Sequence, residues 1–482
     1  MPNYDIIIIG AGLSGIDAAC HFKMKCPNKT FTIFEGRENI GGTWDLFKYP
    51  GIRSDSDMHT FSYSFKPWTY PKSISDGETI MEYLHETVQE YKIEEHIQFQ
   101  HFITKANWSS KNNQWTLRGR NLATGEEIEA SCNFLMICTG YYDYEEGYTP
   151  DFKGVDSFQG EFVHPQKWTA DIDYTNKKVV VIGSGATAVT LIPAMVDKTH
   201  HITMLQRSPS YILSRPLYDG FSKFVHRVFP KKTAHFLARW KSILEQIYLY
   251  SISRRKPEAV KAYIEGKAKE VLGEEYDIDP HFNPSYNPWE QRLCAIPDND
   301  LFHAIKEEKC TVVTDHIDTF FEKGIRLTSG KELEADLVVS ATGLKIKIMG
   351  GMEVSIDNQK IDPSKLLTYK GIMLQDIPNA AIITGYTNAS WTLKADLVCA
   401  YICRLINHMD AKGLKSCVPR LSEQSMEQEP IIDFSSGYVM RALDVLPKQG
   451  DRYPWKLYQN YIRDMIVLKY KKLDQGTLEF GK

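Results

Sequence analysis

The chain has 482 residues and a formal net charge of -4, with 24% charged and 43% hydrophobic residues. Its length predicts two or three domains, each with an interior of its own. The nearly balanced charge is typical of a globular protein and argues against a nucleic-acid-binding or disordered protein. We therefore expect small-molecule partners and no nucleic acid.

The cysteines and the N-terminus indicate the compartment. Nine cysteines follow no repeated spacing and contain no CxxC pair, which is typical of reduced thiols in the cytosol. The apolar run at residues 6–9 follows Asp5, lacks a basic region before it and is too short to span a bilayer. The sequence predicts a cytoplasmic protein without a signal peptide or transmembrane helix.

A first nucleotide-binding unit is predicted at the N-terminus. Residues 4–9 form a β-branched run typical of a buried parallel strand, and helical spacing follows. The turn at residues 10–15 fits GxGxxG, in which Gly10 permits the tight turn, Gly12 admits a pyrophosphate and Gly15 lets helix and strand pack closely. Glu35 ends the next strand, where it can bind ribose hydroxyls and would repel a 2′-phosphate. The unit predicts FAD or NAD.

A second unit of the same kind starts at residue 177. Its turn, Gly183-Ser184-Gly185-Ala186-Thr187-Ala188, has alanine in place of the third glycine, a tolerated variant. The following strand ends in Arg207 and Ser208, whose guanidinium and hydroxyl can bind the 2′-phosphate of NADP. The alternative for Arg207 is a solvated charge at a strand end. We expect FAD in the first unit and NADPH in the second.

The predicted fold class is α/β, with two Rossmann-like dinucleotide-binding domains and a helical insertion in the second. The predicted domains are residues 1–144 (FAD-binding, first part), 145–178 (linker), 179–334 (NADP-binding, with the insertion at 221–270) and 335–482 (FAD-binding, second part).

The insertion at 221–270 is aromatic and basic, with twelve Lys and Arg against four Glu. One interpretation is a helical cap that shapes the substrate pocket. The other is a peripheral membrane contact. We favour the cap because Pro230 and Pro257 interrupt a single long amphipathic face.

The stretch GGTWDLFKYPGIRSDSD at residues 41–57 is unusual for a soluble protein. It resembles the long signature of the type I Baeyer–Villiger monooxygenases, flavoproteins with two dinucleotide-binding domains. The matching residues are Gly41, Gly42, Trp44, Tyr49, Pro50, Gly51 and Asp55. The resemblance implies that Trp44 and Asp45 pack along the flavin and that Asp55 lies beside it.

A second family signature, FxGxxxHxxxW, is present as Phe158, Gly160, His164 and Trp168. Thr169 follows where the family has Pro or Asp. The N- and S-oxygenating relatives carry Tyr or Phe in place of Trp168, so the motif favours the Baeyer–Villiger branch. We expect His164 to hold an interdomain hinge through hydrogen bonds and do not place it among the catalytic residues.

The resemblance extends over nearly the whole chain and is strongest for the ethionamide-activating branch, through VVIGSGATAVTL, MLQRSP, NPWEQRLC and GYTNASWTLKADLV. In this family an arginine lies over the flavin, and the match here is Arg292. Relatives often have lysine just before it. This chain has Gln291, which shifts the grip on the 2′-phosphate towards Arg207.

The resemblance implies an NADPH- and dioxygen-dependent monooxygenase. A flavin peroxide, kept deprotonated by Arg292, converts ketones to esters or lactones, and the ethionamide-activating branch also oxidises sulfides and thioamides. The candidate catalytic residues are Arg292 and Asp55, with Asp55 orienting Arg292. No metal site is expected.

The glycine turns and the resemblance together give the candidate cofactor contacts. Those for FAD are Gly10, Gly12, Ser14, Gly15, Glu35, Gly42, Thr43, Trp44, Asp45, Asp55, Ile103, Thr139, Thr342 and Asn388. Those for NADPH are Arg53, Ser54, Gly183, Ser184, Gly185, Ala186, Thr187, Ala188, Arg207 and Ser208.

Three rival functions follow from the same architecture. A disulfide reductase needs a redox cysteine pair after the first unit, and ENIGGTWDLFKYPG contains no cysteine. A heteroatom oxygenase without Baeyer–Villiger activity is the main competitor, because a protonated peroxide oxidises sulfides and amines. A flavin-bound redox sensor without turnover is the third.

Overall fold

Runs of β-branched residues build the parallel strands of two separate sheets. The computed structural model describes residues 1–422, 426–432, 434–473 and 476–482. In the first sheet, strand Asn3–Ile9 is central and runs parallel to Phe31–Phe34 on one side and Glu127–Ile137 on the other. Residues 6–9 are at most 7% exposed because both faces of a parallel sheet are covered.

Among the described residues the first sheet contains nine strands. Its antiparallel part continues from Glu127–Ile137 into the hairpin of His101–Ser109 and Gln114–Asn121. The remaining strands are Ile97–Gln98, Glu353–Ile356, Gln359–Lys360 and Ala380–Ile382. Helices Leu13–Lys25 and Trp391–Lys412 pack against each other beside this sheet, so the N-terminal turn and the C-terminal part of the chain share one core.

The second sheet is entirely parallel. Its strands lie in the order Cys310–Thr314, His201–Gln206, Lys178–Ile182, Leu337–Ser340 and Glu161–Val163. Helices Ala186–Met195 and Asp300–Lys306 contact each other next to this sheet. The predicted α/β fold with two Rossmann-like units is confirmed.

Two strands of the second sheet come from outside residues 179–334. Leu337–Ser340 follows the predicted boundary at 335, and Glu161–Val163 lies in the predicted linker. Leu337–Ser340 pairs with Lys178–Ile182 of the second unit, and Glu161–Val163 pairs with Leu337–Ser340 at the edge of the sheet. The domain boundaries remain a prediction.

Further helices and strand pairs lie outside the two sheets. The further helices are Thr43–Leu46, Met58–Phe61, Gly77–Glu90, Gly437–Met440 and Tyr461–Met465. The paired strands outside the two sheets are Ile212–Arg215 with Cys294–Pro297, Ile317–Phe321 with Gly324–Leu327 and Glu332–Glu334, Tyr142–Gly147 with Leu344–Ile346, Thr368–Tyr369 with Met373–Leu374, Ser416–Pro419 with Leu478–Gly481, and Gln428–Pro430 with Lys448–Gly450.

The insertion consists of helices Gly220–Val228, Lys231–Arg255 and Pro257–Leu272. Pro230 and Pro257 lie at the starts of the second and third helices, where the missing N–H is tolerated. Arg239 of the second helix is buried, and its Nη1 donates to the carbonyls of His59, at 2.9 Å, and Ser62, at 2.7 Å. In the described ranges, no helix has both the length and the apolar character needed to cross a membrane.

A buried ionic cluster joins helices Leu13–Lys25 and Trp391–Lys412. Lys25 Nζ lies 2.9 Å from His21 Nδ1, and an ammonium can only donate, so the Nε2–H of His21 donates to Asp396 Oδ1 at 2.9 Å. Asp17 Oδ1 lies 3.4 Å from the same Nε2. Burial, and then the charge of Asp396, raise the pKa of Asp17 well above its ordinary value. Asp17 is therefore protonated in the folded protein over a range in which it ionises when unfolded.

We expect Asp17→Asn to raise the free energy of unfolding at pH 8 and to change it less at pH 5. A carboxyl whose pKa is raised by folding contributes stability at low pH and loses it as pH rises through the folded pKa, and the amide removes that loss. Urea unfolding at both pH values measures the effect. Asp396→Asn is the matched control and should destabilise at both pH values. Burial raises the pKa of Asp396, but the hydrogen bond from His21 and the charges of His21 and Arg239 together outweigh burial and lower it. A less stable Asp17→Asn at pH 8 would show that Asp17 is ionised and paired.

Candidate active site

A cleft of about 690 Å³ lies between residues 41–57, here called the signature loop, and the second glycine turn, residues 183–188. It brings together residues that are far apart in the sequence. The predicted site residues that line it are Thr43, Trp44, Arg53, Ser54, Asp55, Gly183, Ser184, Gly185, Ala186, Thr187, Arg207, Ser208, Arg292 and Thr342. The remaining predicted residues lie outside its lining, most of them around the first glycine turn.

The second glycine turn opens directly into the cleft. Gly183 has φ +132° and packs so tightly that a Cβ would lie 2.4 Å from the carbonyl oxygen of Ala341. Gly185 precedes helix Ala186–Met195 with no side-chain cap, and a Cβ there would meet no atom within 4 Å. The first N–H groups of this helix are therefore available to an anion.

Arg207 and Ser208 are exposed and lie at the same end of the cleft. Ser184 Oγ donates to the carbonyl of Ser208 at 3.1 Å, which ties the turn to the end of the next strand. No described side chain or carbonyl binds the Arg207 guanidinium. It is free to bind a phosphate next to the helix N-terminus.

The first glycine turn has the close packing that its sequence predicts. A Cβ on Gly15 would lie 1.8 Å from the carbonyl oxygen of Gly10, and one on Gly10 would lie 2.8 Å from that of Cys138. Gly12 precedes helix Leu13–Lys25 without a side-chain cap. Glu35 accepts from the N–H of Ala11 at 2.6 Å. Strand, turn and helix thus form a second uncapped helix N-terminus.

Four other residues that were predicted to contact FAD are hydrogen-bonded or buried within the protein. Ser14 Oγ accepts from Trp391 Nε1 at 2.8 Å, and Thr139 Oγ1 donates to the carbonyl of Gly140 at 3.2 Å. Ile103 is 4% exposed in its strand. Asn388 Nδ2 donates to the carbonyl of Gln459 at 2.9 Å, whereas its buried Oδ1 has no hydrogen-bond partner among the described residues.

The signature loop packs against the second unit. Gly51 has φ +74°, and a Cβ there would lie 2.5 Å from the Cβ of Ala194 and 2.8 Å from the carbonyl of Thr190, both in helix Ala186–Met195. Tyr49 of the same turn is buried in the apolar cluster that contains Val189 and Ile192 of that helix. The Tyr-Pro-Gly turn therefore fixes the loop on the helix whose N-terminus faces the cleft.

Arg292 and Asp55 meet at the centre of this arrangement. The Nε–H of Arg292 donates to Asp55 Oδ2 at 2.9 Å, and Nη2 donates to the same oxygen. The Asp55 carboxylate raises the pKa of Arg292 well above its ordinary value. The side chain of Arg292 is 37% exposed, towards the cleft. The pair fixes the Arg292 guanidinium, which stays protonated, at the wall of the cleft.

Sequence reasoning missed the tyrosines around this charge. Tyr142 and Tyr438 line the cleft, and the charge of Arg292 acts on both of their hydroxyls. Burial raises the pKa of Tyr142 to about 12, so its hydroxyl stays protonated. Tyr142 follows the predicted strand-end Thr139-Gly140, a signal that could have identified it. Tyr438 lies in a segment without any motif.

Three predicted cofactor residues of the loop make protein contacts. Arg53 Nη1 donates to Asp300 Oδ2 at 2.6 Å. Ser54 Oγ donates to the carbonyl of Ser56 at 2.9 Å. Asp45 is paired with Arg37 at 2.8 Å and with Lys48 at 3.2 Å. Arg53 and Ser54 still line the cleft, whereas Asp45 lies outside its lining.

His164 lies in the linker and contacts backbone groups. Its Nε2 lies 3.0 Å from the carbonyl oxygen of Gly343, and its Nδ1 accepts from the N–H of Gln166 at 3.1 Å. These contacts connect the linker to the turn after Leu337–Ser340. His164 therefore makes hydrogen bonds of the kind expected from the sequence, and its role in an interdomain hinge remains a prediction.

Two curated proteins resemble the chain along its length. The FAD-containing monooxygenase EthA of Mycobacterium tuberculosis is 48% identical over 481 residues, which cover 100% of this chain and 98% of EthA. The probable FAD-binding monooxygenase AlmA of Acinetobacter baylyi is 46% identical over 482 residues, covering 100% and 96%.

The fold matches that of a solved enzyme. The open crystal structure of cyclohexanone monooxygenase superposes with a TM-score of 0.76 over 100% of both chains, at 18% identity. A family model described as flavin-binding monooxygenase-like matches residues 3–259. By this match, and by its identity to EthA along the whole length, the chain belongs to the flavin-binding monooxygenase-like family.

Proposed function

We propose that the protein is an FAD-containing monooxygenase that uses NADPH and dioxygen to convert ketones to esters or lactones, and that it also oxidises sulfides and thioamides. In the ketone reaction one oxygen atom enters the ester and the other leaves as water, while NADPH is oxidised to NADP⁺. The observation that carries this proposal is the Arg292–Asp55 pair, which lies in one cleft with the second glycine turn and Trp44.

The described residues fit FAD at the first turn. The uncapped helix N-terminus after Gly12 suits the pyrophosphate, and Glu35 at the end of the next strand suits the ribose. The unpartnered Oδ1 of Asn388 is a buried acceptor, and such groups normally bind a donor. A ring N–H of the flavin would supply one.

The residues of the second turn fit NADPH. Gly185 leaves open space for a pyrophosphate at the N-terminus of Ala186–Met195. Arg207 has no protein partner among the described residues and offers a planar fork to the 2′-phosphate. Both groups face the cleft into which Arg292 projects.

When bound and reduced by NADPH, FAD supplies the oxygen-activating chemistry. The protein supplies a fixed cation beside the site of reaction. Arg292 keeps its proton at any working pH, so its guanidinium can stabilise negative charge that develops on the ketone oxygen during oxygen transfer. The charge is in place before the reaction, which avoids the cost of reorienting solvent.

Asp55 is a positioning residue in this proposal. Its Oδ2 accepts from both Nε and Nη2 of Arg292. Asp55 therefore leaves the N–H groups of Nη1 without a hydrogen bond to this carboxylate. Tyr142 and Tyr438 line the same cleft, and in this proposal their side chains restrict access of water to the cation. A drier environment strengthens the interaction of the charge with the substrate oxygen.

A heteroatom oxygenase is the alternative function. Oxidation of a thioether places no negative charge on a carbonyl oxygen, so it has less need of Arg292. Purified holoenzyme with NADPH should therefore be tested on a ketone and on a thioether, with products identified by mass spectrometry. An ester or lactone supports the proposal. Sulfoxide without any ester supports the alternative, and NADPH oxidation with neither product supports a redox sensor.

We expect Arg292→Ala to lower the rate of ester formation at least about 100-fold, the effect of removing one preorganised donor to a developing oxyanion. NADPH should still be oxidised, because Arg207 and the second turn are unchanged. The ratio of ester to NADPH consumed measures this split. Arg292→Lys keeps a charge without the fork, and we expect it to recover part of the ratio. A normal ester yield from Arg292→Ala would remove Arg292 from the mechanism.

We expect Arg207→Ala to raise the KM for NADPH by about 10- to 100-fold, since a hydrogen-bonded charge pair contributes about 1.5–3 kcal/mol. NADH is the matched control because it lacks only the 2′-phosphate, and its KM should change little. Steady-state oxidation of both nucleotides measures the effect. Equal changes for NADPH and NADH would contradict a role of Arg207 at the 2′-phosphate.

A further inference from the structure

The first helix of the insertion, Gly220–Val228, has an apolar surface that its own protein covers only in part. Ser222 and Val225 are buried, and Val225 packs with Ala234 and Ala238 of the next helix. Phe221, Phe224 and Val228 lie beside this buried strip, at helical spacings of three and four residues. They are 41%, 59% and 56% exposed.

The exposed surface continues past both ends of the helix. Tyr218 before it and Phe229 after it are each 42% exposed. An aromatic side chain offers roughly 200 Å², so this surface approaches the size at which an exposed apolar patch marks an interaction site. We call Tyr218, Phe221, Phe224, Val228 and Phe229 the aromatic patch.

Basic side chains border the aromatic patch. Lys223 and Arg227 lie on the same helix, and Lys231 and Lys232 begin the next one; all four are exposed. None of them pairs with a described carboxylate. Asp219 is the only acidic residue between positions 218 and 240, and it caps the helix by accepting from the N–H of Phe221 at 3.0 Å. The region is strongly cationic in a chain whose net charge is -4.

We propose that the aromatic patch and its four basic neighbours dock on an anionic lipid surface. The apolar side chains would enter the boundary between headgroups and acyl chains, while the lysines and the arginine bind headgroup phosphates, as in other basic amphipathic surface helices. The insertion would then pack on the rest of the protein through Arg239 and also contact a membrane. A helical cap and a peripheral membrane contact, the two interpretations of its sequence, are therefore compatible.

The charges decide between a lipid surface and a second copy of the chain. In a symmetric dimer formed through the aromatic patch, each basic cluster would face the same cluster of the partner. Four cations on each side, none of them paired with a carboxylate of the described residues, would repel at close range. An anionic membrane instead neutralises all four.

The test is flotation of the purified holoenzyme with vesicles of phosphatidylcholine alone and of phosphatidylcholine with phosphatidylglycerol. We expect the protein to float with the anionic vesicles, to float much less with the neutral ones, and to be released by high salt. Phe221→Ser with Phe224→Ser should lower the bound fraction about tenfold or more, and Lys231→Glu with Lys232→Glu should abolish the preference for anionic lipid.

Phe236→Ser is the matched control. Phe236 is 58% exposed, as Phe224 is, but it lies on a different face of helix Lys231–Arg255 from Ala234 and Ala238, against which the first helix packs. Its replacement should leave flotation unchanged. Light scattering and thermal unfolding of each variant verify that it is folded and report its mass.

Four outcomes would overturn the proposal. The first is equal flotation with both vesicle types, and the second is unchanged flotation of the double phenylalanine variant. The third is an equal loss with Phe236→Ser. The fourth is a dimer in solution that the double variant dissociates, which would assign the aromatic patch to a second copy of the chain.

Discussion

The ion pair between Arg292 and Asp55 is the interaction on which the proposed chemistry depends. Its two residues are 237 positions apart, and each is supplied by a different unit of the fold. Asp55 belongs to a loop that Gly51 fixes on helix Ala186–Met195, because any side chain at Gly51 would collide with that helix. Arg292 precedes the strand Cys294–Pro297, whose partner Ile212–Arg215 follows the Arg207 turn. The position of the charge is thus tied to both nucleotide turns.

The spacing of residues around the two glycine turns predicted the parts of the site that these turns form. Gly15 is required by a contact with Gly10 within one strand–turn–helix unit, and Gly10 and Gly183 are required by carbonyls that follow the neighbouring strand. Because every such unit makes these contacts at the same positions, the glycine spacing is informative. Arg207 could be predicted because the end of the strand after such a turn lies beside the nucleotide ribose. Asp55 and Arg292 have no such local signal and were predicted through resemblance to a family.

Other features arise from contacts between distant segments, which no spacing reveals. Tyr438 reaches Arg292 from near the C-terminus, and Leu337–Ser340 enters the second sheet after the chain has completed most of that unit. The carbonyls that Arg239 binds belong to His59 and Ser62, which are 180 and 177 positions away in the sequence. Composition indicated that the insertion is aromatic and basic, but only the packing separates Val225, which is buried, from Phe224, which is exposed.

A double-mutant cycle on Asp55 and Arg292 tests most directly whether the two residues act as one unit. The quantity to measure is kcat/KM for ester formation by the holoenzyme in Asp55→Ala, in Arg292→Ala and in the double variant. If Asp55 acts by holding Arg292, its replacement lowers kcat/KM in the otherwise normal enzyme and has almost no further effect once Arg292 is absent. Additive losses would show that Asp55 and Arg292 contribute independently, which would contradict a cation positioned by this pair.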